Sequence, residues 1–511
     1  MLAEIPNIDD PGGGDRSLPR KLSKDVFCDE GSVGHPVRRM GLEQEFFLVD
    51  LRGEPRDLAD PFLWECREEA RVEGVDPSCF QAESVMGLVE ITAPPSHGVE
   101  EMARHYLRNL DLALGVASEL GLALYPLGTY PLPISPTVRD DPGYRVKART
   151  IGQGRFSHAG RCTGTHLHLE LSPGTAWSDV KAALEAPLAA QRELLGLYNL
   201  ATALDPALVA LTRSCPFYQG EVDGFAARTI HYRGTLGFEG VYSGLREVGA
   251  LSAYASSVED LIDRQRARYR AWFAAMDLAR VERHLFTLTD GNLHKASWNP
   301  VRLSHHGTVE IRSMDANFPE MVLAVCALIR GAAERVRRER LEVRPSRGVL
   351  TLEPDGELLR VPVFSYLNDE LLRAAVTGGV LDPRVEAYVD SFVRFATPYL
   401  ETPELVDSLG SSGGYETTES EVLRSFPTTK AGLTRERGLW LVREACRRLD
   451  EQVFSLRRRY DRALPPVDER DRGVARVINI VGSPTGLAEG AHPASVHDAK
   501  VTARAPSEET A

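Results

Sequence analysis

Cysteine is scarce and unpaired in this chain. Seven residues in 511 (Cys28, Cys66, Cys79, Cys162, Cys215, Cys326, Cys446) form no CxxC pair. An odd, widely spaced set fits neither a disulfide framework nor a thiolate zinc site and points to a reducing cytoplasm. Basic charge is also in short supply. Sixty Lys and Arg stand against 73 Asp and Glu, a formal charge of −13. That excludes a general nucleic-acid binder, because phosphate contacts release counterions only to a basic surface. No run of about 18 uncharged apolar residues is evident, so no membrane span is expected, and MLAEIPNIDDPGGGD lacks the apolar centre of a secretory signal. Hydrophobic and charged fractions of 43% and 26% are those of an ordinary globular protein.

What is present is a series of charged and imidazole positions inside short strand-like runs: Glu43 and Glu45 in GLEQEFFLVD, Glu83 and Glu90 in ESVMGLVEIT, His166 and His168 in GTHLHLEL, and Glu310 and Arg312 in TVEIRSMD. Side chains two apart on a strand share a face, so each pair except Glu83/Glu90 can enter one cleft. Glu83 and Glu90 are an odd number apart, and a bulge or turn at Gly87 is needed to bring them to one side. Converging carboxylates repel by about 4 kcal/mol per pair at about 4 Å and an effective dielectric near 20, so a cation is required. Oxygen-rich ligation with one imidazole suits magnesium or manganese. The competing readings are a solvated face for Glu43/Glu45, an ion pair for Glu310/Arg312 and a core histidine, more so for His166 than for His168. An arginine beside a divalent cation is what phosphoryl transfer needs.

The chain divides by composition. Residues 1–36 form a Gly-, Pro- and charge-rich leader, 37–340 carry the strand motifs, 341–465 are mostly helical and 466–511 lack periodic apolar content and are expected to be disordered. Apolar spacing predicts helices at 99–120 (capped by Gly121), 179–203, 258–273, 319–337 and 434–462. The polar segment 135–161 reads as a long loop holding Tyr144, Lys147, Arg149 and Arg155. LRRRYDR, 456–462, reads as a solvated helix face, and Cys162 as a small core residue.

The order of these blocks resembles the glutamine synthetase superfamily, and their wording is similar to its glutamate–cysteine ligase branch of the bacterial carboxylate–amine ligase type. Carrying the resemblance are GLEQEFFLVD, ESVMGLVEITAPP with the helix and GLALYPLGTYP after it, GTHLHLEL, SCPFYQG with Arg228 downstream, and SWNPVRLSHHGTVEIRSMDA. It implies an α+β fold in which a curved antiparallel sheet has helices on its outer face. It implies an ATP- and Mg²⁺-dependent ligase joining the γ-carboxylate of a glutamate-like acid to an amine through an acyl phosphate. Glu43, Glu45, Glu83, Glu90, His168 and Glu310 match the metal positions. Arg312, Glu310 and Glu43 match the catalytic group, and Arg228, Thr129, Tyr144 and Arg302 the substrate or nucleotide contacts. Gly128-Thr129-Tyr130-Pro131 departs from the usual Gly-Thr-His-Pro and Cys215-Pro216-Phe217 from Asn-Ser-Pro-Phe, which alters the substrate side. Partners are then small molecules, with no nucleic acid or membrane, and a homo-oligomer stays open. A kinase of the same fold, acting on a guanidino or carboxylate group, and a catalytically silent regulator that binds nucleotide or amino acid are the alternatives.

Overall fold

The computed structural model describes residues 38–289, 291–410, 414–426 and 432–460. The expected leader, the expected tail, Cys28 and most of the Gly/Ser interruption near 411–413 lie outside them. The spine of the fold is strand β1 (Met40–Asp50), whose burial alternates: Leu42, Gln44 and Phe46 are fully buried, while Glu43 and Glu45 between them retain some exposure. Along one edge β1 pairs with β3 (Leu88–Ser96). Along the other it pairs first with β5 (Gly164–Glu170) and then with β4 (Leu122–Tyr125). β2 (Phe80–Ala82) continues the sheet beyond β3, and β7 (Thr308–Asp315) then β6 (Val301–Leu303) continue it beyond β5. All seven strands run antiparallel to their neighbours.

Alternation gives this sheet two unlike faces. Leu42, Phe46, Val89, Ile91, Leu167, Leu169, Val309 and Ile311 join one hydrophobic core with helices α1 (Ala59–Glu73), α2 (Val99–Glu119), α4 (Leu188–Thr212) and α6 (Pro319–Arg338). Each such side chain contributes about 1.5–3 kcal/mol on full burial. Gln44 is the polar exception on this face. It accepts from Tyr106 Oη at 2.5 Å and donates to the Asn317 carbonyl at 2.8 Å, so its amide is satisfied in the core. Val385, Tyr388, Phe392, Leu449 and Val453, from the region expected as a mostly helical C-terminal part, enter the same core. The last helix, α7 (Arg435–Tyr460), packs along α2.

Four expectations need correction. Segment 135–161 is not one loop, because α3 (Pro142–Ile151) forms there; Asp141 caps it by accepting from the Gly143 and Tyr144 amides, and Pro142 occupies its first position. The helix expected over 179–203 is two, Val180–Leu184 and α4, parted at Pro187. α4 also contains an 18-residue stretch long and apolar enough to cross a membrane, with mean hydropathy 1.5, against the expectation that no such stretch exists; 94% of that stretch is buried inside the protein. In LRRRYDR, Arg457 is tied to Asp111 on α2 and is mostly buried, so that face is not simply solvated; residues 461 and 462 lie outside the described residues.

On α4, the carboxylate of Asp205 is 0% exposed. It accepts two N–H groups from Arg233, both at 2.8 Å, and the Ser313 hydroxyl. It therefore ties a core helix to β7 and to the short helix α5 (Ala227–Arg233). Asp205→Ala leaves the 3% exposed Arg233 charge unpaired and is expected to cost about 3–5 kcal/mol. Chemical denaturation of wild type and variant measures this, and a loss below 1 kcal/mol would show that water replaces the carboxylate.

Candidate active site

The face of the sheet opposite the helices carries the charged residues, and strand register aligns them. Glu45 lies opposite Glu90, Glu43 opposite His166, His168 opposite Glu310, and Glu310 opposite Arg302. Directly opposed residues have their Cβ atoms about 4.5–5.5 Å apart, so five strands deliver one continuous patch. Glu83 joins it through a hairpin rather than a bulge. Gln81 pairs with Glu90, so Glu83, two residues from Gln81, falls on the Glu90 face; the turn 85–87 then reverses the chain.

Two groups of candidate ligands result. Ligand atoms of Glu43, His166 and Glu310 lie within 4.8 Å of one another, as do those of Glu45, Glu90 and His166. His166 Nδ1 is 3.2 Å from Glu43 Oε2, and His168 Nε2 is 3.1 Å from Glu43 Oε1. The His168 ring is fixed by Nδ1 against Thr308 Oγ1 at 2.8 Å. Both histidines are buried, yet His166 Nε2 has no hydrogen-bond partner. In the tautomer that donates from Nδ1 to Glu43, its Nε2 lone pair remains available beside Glu45 and Glu90. A buried lone pair among carboxylates is a donor set that fits a divalent cation. His166, for which the core reading had more weight, is thus common to both groups; the His-x-His spacing was the signal.

Charge is balanced differently at the two ends. Burial opposes the ionised form of Glu310, but Arg302 and Arg312 hold its carboxyl well below the usual range. Arg302 donates to both of its oxygens, at 2.6 and 3.0 Å, and Arg312 Nη1 donates to Oε1 at 2.6 Å. Burial alone would raise Glu43; hydrogen bonds from His166 and His168 hold it low. At the other end, burial followed by the Glu83 charge pushes Glu45 up to about 8, and Glu90 is driven well above the carboxylate range by burial and by Glu43. Glu83 is raised by burial. Burial and the Arg312 charge depress His166 to about 4, so it is neutral at pH 7.

The remaining predicted residues divide. Arg228, 4% exposed, donates toward the Arg312 carbonyl at 3.4 Å and its charge acts on Glu45. Tyr144, on α3, feels the charges of Glu83 and Glu90, and Lys147, one turn on, has its ammonium 5.2 Å from the Tyr144 ring and 5.0 Å from that of Trp298. Thr129 is turned into the core: it is 1% exposed and its hydroxyl donates to the Phe217 carbonyl at 2.9 Å, so a free hydroxyl toward a substrate is not what its position offers. Arg155 and Arg149 do not join the patch; the first bonds the Ser243 carbonyl and the second is exposed at the end of α3.

The family model for glutamate-cysteine ligase family 2 matches residues 39–364. The chain belongs to that family. A Streptomyces avermitilis protein carrying a provisional glutamate–cysteine ligase 2-1 name is 25% identical over 356 residues, 68% of this chain and 80% of that one. A Halobacterium salinarum glutamate–cysteine ligase is 26% identical over 300 residues, 58% of this chain and 67% of that one. Among solved structures, a Francisella tularensis glutamate–cysteine ligase in complex with AMP aligns over 83% of this chain and 93% of its own, at 11% identity and a TM-score of 0.49; this adds nothing to the family match. Family membership makes the protein an ATP-dependent carboxylate–amine ligase of glutamate–cysteine ligase type.

A cation entering the Glu45/Glu90 group competes with protons, because burial raises both carboxyls and holds Glu45 at about 8. Ligation by carboxylate is expected to release at least about one proton per protein and to tighten as pH rises through 8. Calorimetric titration of Mg²⁺ in buffers of different ionisation enthalpy reads the proton count; heats independent of buffer would show that these carboxyls are already ionised.

Proposed function

We propose that this ligase activates the γ-carboxylate of glutamate, or of a close analogue, as an acyl phosphate and transfers the acyl group to an amine, with Mg²⁺ or Mn²⁺ as the cation. The observation that carries this reading is the meeting, on one sheet face, of two ligand groups with Arg302 and Arg312 at one end. Glu43 and Glu310, with His166 or His168, would hold one ion, and Glu45, Glu83 and Glu90 another. When bound, such ions supply positive charge that offsets the negative charge spread over a transferring phosphoryl group.

The chain's own residues account for the rest. Arg302, paired to it through Nε and Nη2, fixes the orientation of Glu310. Arg312 is held by Glu310 and lies 3.3 Å from His166 Nδ1, while its Nε has no partner; that N–H is free for a phosphoryl oxygen. Arg228 closes the Glu45 end, where a substrate carboxylate meets positive charge. The acid's carboxylate oxygen attacks the γ-phosphorus, the bond to the β-phosphate oxygen breaks, and ADP leaves. The amine nitrogen then bonds to the acyl carbon as the C–O bond to phosphate breaks. Holding both partners in line supplies much of the rate, since a free carboxylate is a poor electrophile. Among the described residues six cysteines are buried free thiols, which supports a reducing compartment and a cytoplasmic site of action.

An ADP-release screen of glutamate against an amine panel with Mg²⁺ tests the reading. Turnover is expected only when acid and amine are both present, and Glu310→Gln, which leaves Arg302 and Arg312 without their carboxylate, is expected to lower it by at least about 100-fold in protein that circular dichroism shows to be folded. ADP release without amine and a stable phosphorylated product would identify a kinase instead, and no turnover with any pair would end the ligase proposal.

A further inference from the structure

Beside the Glu45 end lies a group of rings that the phosphoryl chemistry does not use. His231 Nε2 is 2.6 Å from Asp223 Oδ2. The Tyr218 ring stacks on His231 with centroids 3.7 Å apart and planes 12° apart, and its hydroxyl is 2.5 Å from His158 Nδ1. His231 Nδ1 is enclosed and has no hydrogen-bond partner. Tyr218 packs with Cys162 and Ala227, with Tyr232 against them. Ala227 precedes Arg228, and the Gly164 amide, two residues from Cys162, donates to Glu45 at 2.7 Å. Arg228 and His231 are three apart on α5 and so share a helix face. Arg228 is buried, and the His231 side chain keeps 18% of its surface exposed. Arg161 faces His158 and Tyr218 from the chain before β5.

Amide formation requires two protons to leave the amine nitrogen, because an aliphatic amine arrives at neutral pH as an ammonium ion. The acids of the patch itself are those that would hold cations, and a cation-bound carboxylate is a poor proton acceptor. An imidazole whose one nitrogen is fixed as donor toward a carboxylate has its other lone pair free, the arrangement general-base catalysis uses. We propose that His231 accepts the amine's proton at Nδ1, with Asp223 as the positioning residue that sets its tautomer and the Tyr218–His158 pair fixing the plane of its ring. The inference rests on the ligase reading above. R–NH₃⁺ gives one proton to Nδ1, and the free lone pair bonds to the acyl carbon. The C–O bond to phosphate breaks with its electron pair on oxygen. The second nitrogen proton leaves with the phosphate, and His231 returns its proton to water.

Hydroxylamine separates this role from a structural one, since it is largely unprotonated at neutral pH and needs no base. In the full chain with ATP, Mg²⁺ and glutamate, His231→Gln is expected to lower kcat with an amino-acid amine by about 100-fold, with KM for ATP and glutamate within twofold of wild type. With hydroxylamine as acceptor, it is expected to form hydroxamate at close to the wild-type rate. Asp223→Asn, which keeps the side-chain size, should show the same bypass with a smaller loss, about 10-fold, and covers the case in which His231→Gln misfolds. Equal losses with both acceptors, or no loss with either, would overturn the assignment. Wild-type protein that makes neither amide nor hydroxamate would instead remove the ligase reading, and this inference with it.

Discussion

Like charge held at short range is the constraint that organises this molecule. Carboxylate oxygens within 4.8 Å of one another repel by about 3–4 kcal/mol per pair at an effective dielectric near 20, a large fraction of a domain's net stability. The fold meets that cost in two ways. Around Glu310 it supplies guanidinium groups, and the carboxylates there stay ionised. Around Glu45, Glu83 and Glu90 burial outweighs the charges of Arg228, Arg312 and Lys147, and the acids are held above the usual carboxylate range. One end is therefore preorganised as charged, while the other is completed by whatever positive charge arrives. For a reaction that brings in a polyanion and a small acid, such asymmetry gives the two substrates different ends of one surface.

Register is what permits so many acids to share a face. A slip of one residue in β1 would move Glu43 and Glu45 into the hydrophobic core and Leu42, Gln44 and Phe46 out of it. Gln44 guards against this from behind, since its amide finds the Tyr106 hydroxyl and the Asn317 carbonyl only in the observed register. Ser313 does the same on β7, where its hydroxyl meets buried Asp205 while Arg312, its neighbour, projects to the opposite face. Polar residues on the helix side thus specify the alignment of polar residues on the chemistry side.

Period-two spacing made the ExE, HxH and ExR pairs legible, because a strand leaves no choice about which side chains share a face. Family resemblance supplied what spacing could not, namely that residues hundreds of positions apart converge. Glu83 was hard to place because a seven-residue separation has no single meaning: it is wrong for one strand and right for a hairpin whose turn is not obvious in SVMG. The segment 135–161 hid a helix because its apolar content is low, yet Asp141-Pro142 carried a start signal in plain view. His166 was undervalued since a buried histidine is usually satisfied by its surroundings, and only coordinates reveal that Nε2 is not. α4 runs to Thr212, beyond the predicted end at 203, because its apolar residues run all round the helix there and leave no periodic stripe to mark its end.

α5 shows how little secondary structure a site needs when its ends are tied. Seven residues cannot hold a helix in water on their own. Here Arg233 at one end is clamped by Asp205, and Arg228 at the other lies against Gly164, where even a Cβ would stand 2.0 Å from its guanidinium. Gly164 must therefore lack a side chain so that Arg228 can approach, and its amide is then free to donate to Glu45. The same glycine that opens space for the arginine fixes the carboxylate the arginine faces. Asp205, Gly164 and Ser313, none of them obvious from a motif, thereby determine where Arg228, Glu45 and Arg312 stand, so the reactive groups depend on residues that never touch a substrate.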